Sequence, residues 1–291
     1  MKLTFLGTSA AEQYPGIWCT CDYCNRARKL GGRNIRRTSS VHFAKNCMID
    51  FPPEVFSQAR NCGIDLLPVS LLLVTHSHED HFYPQLFYWR YMPDEGAGLS
   101  KEERNERAYC RQQELPTLHM FGSQRAYETL LRFLHGKKME NFALDFTVVE
   151  PYKEYEREGV KFVPMIGSHM DSDGQRGLIY IVEAQGKTFL YAVDSGPYTE
   201  ETRACIAQHK YDAIIMEQTG GYAESKDGMH MTWKTAMNEM KFFEEAGIWK
   251  QEPHIYWTHM SPHKTPPHTD LEQLLQDTPI TPAYDGMEID I

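Results

Sequence analysis

No stretch of this 291-residue sequence approaches the roughly 20 consecutive apolar residues needed to cross a bilayer, so a membrane-spanning helix is excluded and no membrane partner is expected. Its first ten residues hold one lysine and a short apolar stretch ending at Gly7, too little for a secretory signal, and a cytoplasmic setting is expected. Cysteine is sparse and odd in number, seven in all. Cys19, Cys21 and Cys24 crowd together at a spacing that suits a metal better than a disulfide framework. Positive charge is in deficit. A formal net charge of −10 disfavours tight, sequence-independent binding to phosphate backbones, so nucleic acid is not an expected partner, although Arg33, Arg36 and Arg37 leave room for a local basic patch. There is no internal repeat and no low-complexity linker, which points to a single domain over residues 1–291.

What remains is ample for one large core, with 41% hydrophobic and 12% aromatic residues. Short apolar runs at 3–6, 47–49, 70–75, 178–182, 188–193, 213–216 and 255–258 read as buried strands. Helical patterns alternate with them. The clearest runs from about Thr232 to Ala246, with Trp233, Met237, Met240 and Phe243 as its apolar stripe and Gly247 as its stop. Strands interleaved with helices over the whole length imply an α/β sandwich of sheets covered by helices. The polar stretch at about 92–116 breaks this pattern and reads as an insertion beside the histidines described next.

The segment His76, Ser77, His78, Glu79, Asp80, His81 carries the chemistry. In an extended chain residues two apart point the same way, so His76 and His78 suit one metal, while the following turn redirects Asp80 and His81 toward a second. At this chain's own His and Asp frequencies such a set arises by chance about once in a thousand sequences. Three more apolar runs end in ligand-type side chains: residues 161–166 lead into His169, 188–193 into Asp194 and 255–258 into His259. Asp50 also ends a strand and is expected to stand behind the ligands, accepting from a liganding imidazole. Imidazole and carboxylate donors suit zinc, manganese or iron and leave a position for a water, which two metals would turn into a bound hydroxide that attacks a phosphoryl or carbonyl centre. No serine or cysteine nucleophile is required. The three cysteine thiolates can share a structural zinc with a fourth ligand from elsewhere.

These residues resemble the metallo-β-lactamase superfamily, with its motif H-x-H-x-D-H followed by His, Asp and His. The resemblance implies a four-layer αββα sandwich with His76, His78 and His169 on one metal, Asp80, His81 and His259 on the other, and Asp194 bridging. Within the superfamily the chain is similar to the PhnP-type phosphoribosyl cyclic phosphodiesterases. That likeness rests on the opening Leu6 to Ala10, on Cys19, Cys21 and Cys24 with Arg36 to Ser40 soon after, and on the closing Tyr284 to Ile289. It implies a zinc held by Cys19, Cys21, Cys24 and a histidine just past the last catalytic one, a place where the spacing slips by one residue and His263 or His268 could serve, with His263 favoured. It also implies that His230 contacts phosphate or protonates the leaving group, with Asp80 the other catalytic residue.

The expected function is therefore a dinuclear metal-dependent hydrolase, a phosphodiesterase acting on a small cyclic or sugar-linked phosphodiester. Superfamily relatives turn the same centre on lactones, thioesters and RNA ends, so a carboxyl-ester hydrolase is the alternative, ahead of an RNA 3′-end nuclease or a non-catalytic metal-binding protein. A small phosphorylated molecule is the expected partner, and a homodimer is allowed.

Overall fold

Leu71 and Leu73 bury one face of their strand, Leu72 and Val74 the other, and Phe189 and Tyr191 alternate in the same way with Leu190 and Ala192. Side chains two apart share a face, so sheets with this pattern must be covered on both sides. The computed structural model, which describes residues 1–92, 98–107, 115–171, 174–222, 228–252 and 254–291, shows how. One seven-stranded sheet runs, in spatial order, β14 (Glu288–Asp290), β1 (Lys2–Gly7), β2 (Ser40–Phe43), β3 (Cys47–Ile49), β4 (Leu71–Leu73), β5 (Leu118–Gly122) and β6 (Leu144–Val148). The other runs β13 (Ile280–Pro282), β12 (Ile255–Thr258), β11 (Ala213–Glu217), β10 (Lys187–Ala192), β9 (Arg176–Ala184), β8 (Val160–Met170) and β7 (Tyr155–Arg157).

The inner faces meet in a core that includes Leu3, Phe43, Ile49, Leu73, Phe162, Tyr180, Phe189, Tyr191 and Ile215. Outside the first sheet lie α2 (Val55–Asn61) and α4 (Gln124–Leu134), packed through Val55, Ala126, Leu130 and Leu134. Outside the second lie α5 (Glu200–Ile206), α6 (Trp233–Glu245) and α7 (His268–Leu275), packed through Ile206, Ala236, Met240, Phe243, Leu271 and Leu275. The expected four-layer αββα sandwich results. Two further helices, α1 (Asp22–Leu30) and α3 (Lys101–Arg107), precede β2 and β5.

The helix expected at 232–246 forms, capped by Thr232, whose side chain accepts from Thr235 N. Its buried stripe differs from the expected one. Ala236, not Met237, faces the core, and Met237 is exposed, because α6 presents the 236, 240, 243 row to the sheet. Of the insertion expected at 92–116, residues 93–97 and 108–114 lie outside the described residues; α3 sits between them. Arg33, Arg36 and Arg37 do not form a basic patch. Arg36 is buried, Arg33 pairs with Glu272 and Arg37 with Asp285, so none of the three is a free cation for phosphate. No helix among the described residues is long and apolar enough to cross a membrane.

Strands β3 to β6 are mutually parallel, as are β10 to β13. Their carboxyl ends therefore gather along one edge, the usual place for functional groups in such sheets. Replacing Ile215, which is fully buried between the sheets, by alanine should destabilise the chain by about 2–5 kcal/mol, whereas Leu274→Ala on the exposed side of α7 should stay within about 0.5 kcal/mol. Urea unfolding followed by circular dichroism reads both, and equal effects would contradict this core.

Candidate metal centre

Beyond β4 the chain leaves the sheet through Thr75 and turns, with the His81 and Phe82 amides both donating to the His78 carbonyl at 3.0 and 2.8 Å. That turn swings His81 back beside His76. Asp50, at the end of β3, fastens the segment: its Oδ1 accepts from the Thr75 amide at 2.8 Å and its Oδ2 lies 2.7 Å from His81 Nδ1. With Nδ1–H committed to Asp50, His81 presents Nε2 to the cleft. On the opposite sheet His259 has its Nδ1 2.7 Å from the Thr219 hydroxyl and presents Nε2 likewise.

The presented atoms form two groups. His76 Nε2 stands 3.0 Å from His78 Nδ1, His169 Nε2 stands 3.2 Å from that same Nδ1, and Asp194 Oδ2 is 3.1 Å from His76 Nε2. In the second group His81 Nε2 is 3.1 Å from His259 Nε2 and 3.3 Å from Asp80 Oδ2. Asp194 Oδ2 reaches this group too, 3.5 Å from His81 Nε2 and 4.0 Å from His259 Nε2. Within each group one donor atom per residue lies within 4.8 Å of every other. Ligand atoms about 2.0–2.1 Å from a tetrahedral zinc stand about 3.3 Å apart, so these nitrogen and oxygen spacings fit a pair of divalent ions joined by one carboxylate.

The electrostatics follow from burying so many ionisable groups together. Burial pushes the His169 pKa down to about 4, helped by His76, His230 and His78, and burial with His76 also lowers that of His78. Burial works against charging His81 as well, yet Asp80 and Asp50 beside it lift its pKa well above the usual imidazole range. Burial opposes ionisation of Asp194, but His259, His230 and His76 hold its pKa well below normal.

His230, between β11 and α6, places Nδ1 3.1 Å from Asp194 Oδ1 and 3.2 Å from Glu217 Oε2. Burial resists its protonation, but Glu217 and Asp194 lift its pKa to about 11. Gly196 makes this approach possible, since a Cβ there would collide with the Gly228 carbonyl two residues before His230. Glu217 is fully buried, accepts from the Met231 amide at 3.0 Å and from the Thr219 hydroxyl, and lies 3.6 Å from His259 Nδ1. Sequence reasoning missed it. The signal was present, because Glu217 closes β11, a buried apolar run ending in a carboxylate, as Asp194 and His259 follow β10 and β12.

The cysteines form a separate cluster. Cys19, Cys21 and Cys24 bring their sulfurs within 4.8 Å of one another, Cys21 Sγ caps α1 by accepting from the Cys24 amide, and Cys19 Sγ is 3.9 Å from His263 Nδ1. The hydrogen bond from the Cys21 amide, with those from the Cys21, Cys24 and His263 side chains, draws the Cys19 pKa down to about 7 against the opposing pull of burial. His268 is engaged elsewhere, with Nδ1 2.9 Å from the Arg36 guanidinium.

The sandwich is the metallo-β-lactamase fold. It aligns with the metallo-β-lactamase fold protein YhfI from Bacillus subtilis at 13% identity, covering 99% of each chain with a TM-score of 0.65. Two other solved structures are similar: a diphosphatase from the PhnP family, at 19% identity, 99% and 96% coverage and a TM-score of 0.69, and zinc-bound PqqB from Methylobacterium extorquens, at 15% identity, full coverage of both chains and a TM-score of 0.69. Identities this low speak for the fold alone. No protein-family model matches the sequence, and no curated protein does.

A cation entering between these nitrogens displaces the proton that His81 holds near neutral pH. Affinity for zinc or manganese should therefore rise with pH as that proton becomes easier to lose. Calorimetry in buffers of different ionisation enthalpy should show net proton release at pH 6, and none would contradict the account.

Proposed function

We propose that this chain is a dinuclear metal-dependent hydrolase that cleaves a small cyclic or sugar-linked phosphodiester. The observation that carries the reading is the single Asp194 oxygen lying between two sets of converging imidazoles. His76, His78, His169 and Asp194 would hold one divalent ion, and Asp80, His81, His259 and the shared Asp194 the other. Bound there, zinc, manganese or iron supplies Lewis acidity and lowers the pKa of water to near neutral.

The remaining steps belong to the chain. Asp50 and Thr219 fix the tautomers of His81 and His259, so that Nε2 of each faces the cleft. Asp80 contributes a carboxylate beside His81 Nε2. His230 keeps its Nδ1 on Glu217 and Asp194, which leaves Nε2 as the atom that delivers a proton to the departing oxygen. A pKa of about 11 is high for that task, but it is set by two carboxylates that cations beside Asp194 would share, and sharing lowers it toward neutrality. Phosphorus rather than carbon as the attacked atom is carried over from the resemblance of Cys19, Cys21 and Cys24 and of the two ends of the chain to the PhnP-type phosphodiesterases. Cys19, Cys21, Cys24 and His263 would hold a structural zinc that ties α1 to the loop after β12, within one domain spanning residues 1–291.

Turnover of phosphodiester and carboxyl-ester, lactone or thioester panels side by side tests the assignment, and faster ester hydrolysis would overturn it. His230→Ala should lower kcat by about 10²–10⁴-fold on an alkyl phosphodiester and far less on a p-nitrophenyl ester of the same acid, because a good leaving group needs no proton. Equal losses on both would remove His230 from the acid role. Elemental analysis should find about three metals per chain, and Cys21→Ser should lose one while retaining hydrolysis.

A further inference from the structure

One buried carboxylate beside the cleft has no part in the scheme so far. Asp171 follows β8, two residues after His169, and opens the turn into β9, where its amide donates to the Gln175 carbonyl at 2.8 Å and its carbonyl accepts from the Gly174 amide at 2.9 Å. Its side chain is almost wholly buried. Oδ2 accepts from the Ser77 hydroxyl at 2.6 Å. Oδ1 has no hydrogen-bond partner among the described residues and stands 3.5 Å from His78 Nε2.

His78 is the imidazole whose orientation most needs explaining. It turns Nδ1, not Nε2, toward His76 and His169, which leaves Nε2 facing away from the cluster. Three of the other imidazoles that face the cleft have partners behind them: His81 has Asp50, His259 has Thr219, and His76 Nδ1 lies 3.1 Å from the Thr75 hydroxyl, whereas His169 Nδ1 has no hydrogen-bond partner among the described residues. Behind His78 the matching group is Asp171.

We propose that Asp171 is a positioning residue for the first metal. Ser77, the residue between His76 and His78, pins one oxygen of Asp171 so that the other accepts from His78 Nε2–H as the site closes on an ion. That hydrogen bond keeps Nδ1 bare and makes it a stronger donor, as carboxylates behind liganding histidines do. Because Asp171 belongs to the second sheet and Ser77 and His78 follow the first, the contact also sets the distance across the mouth of the sandwich. The proposal rests on the reading that His78 binds metal.

Manganese(II) alone, titrated into the metal-free full-length chain and followed by the electron paramagnetic resonance of the free ion, tests it without relying on turnover. Manganese prefers nitrogen and oxygen donors, so the cysteine cluster does not compete. Asp171→Ala should weaken binding by about 10–100-fold, and Asp171→Asn, which keeps an acceptor for His78 while the Ser77 hydroxyl turns to accept from the new amide, should recover to within about threefold of the unaltered chain. Thermal melting of the metal-free variants separates this from misfolding, since Asn is isosteric with Asp and should melt with the unaltered chain. If Asp171→Ala binds within about twofold of the unaltered chain while His78→Ala does not, or if Asn and Ala lose affinity equally, the positioning role is overturned. If His78→Ala itself binds manganese unchanged, the ligand assignment fails, and the role of Asp171 with it.

Discussion

The grip of Asp50 on the loop after β4 is the contact on which the centre depends. Its carboxylate is fully buried and takes the Thr75 amide, the Thr75 hydroxyl and His81 Nδ1. Those bonds hold both ends of a seven-residue segment that carries four of the proposed ligands. Deep in the protein such bonds are strong because few waters compete, and for the same reason an unpartnered carboxylate there would be costly. The loop geometry and the hydrogen bonding of the buried Asp50 carboxylate therefore depend on each other. His81 links this anchor to the cleft, one nitrogen on Asp50 and the other among Asp80, His259 and Asp194.

Backbone conformation at the strand ends serves the same purpose. Asp50, Asp194 and His259 all have positive φ, at 64°, 54° and 54°. Each is the residue at which a strand has just finished and the chain must turn sharply while its side chain points into the cleft, as at Asp194 and His259, or onto the ligand-bearing loop, as at Asp50. A left-handed conformation costs a non-glycine residue about 1–2 kcal/mol, and it persists because the buried strands on either side over-determine it. Glycine would relieve the cost but could supply no ligand. The strain at these positions is thus a consequence of needing a donor atom at the turn itself.

How much of this was legible depended on whether one local signal sufficed. Each of the seven apolar runs falls on a strand, because a strand buried on both faces reads as continuous hydrophobicity. β5 and β6 were missed: His119 and Asp145 interrupt them, and in β6 only Leu144 is buried, which dilutes the pattern. The histidines and aspartates that the structure gathers were readable because they sit at strand ends or in a tight motif. Glu217 carried the same signature one residue beyond the run as read. Asp171 carried none, since its meaning comes from lying across the cleft from Ser77, which no spacing along the chain encodes. Arg36 misled in the opposite direction, as a guanidinium in the interior looks like surface charge until the Thr8, Ala283 and His268 contacts around it are seen.

Charge balance ties these pieces into one argument. Asp50, Asp80, Asp171, Asp194 and Glu217 bring five carboxylates into a small, largely buried volume. Imidazoles alone answer them poorly, because a histidine that shares its proton with a carboxylate cannot offer that nitrogen to a cation or a substrate, and burial pushes others, such as His169, toward neutrality. Two divalent ions would answer this crowd of carboxylates better, while leaving the ligand histidines free to offer their cleft-facing nitrogens. On the proposed reading Glu217 and Asp171 would be more than scaffolding: they would add carboxylates around a site for divalent ions and would keep His230 and His78 oriented for the roles proposed for them.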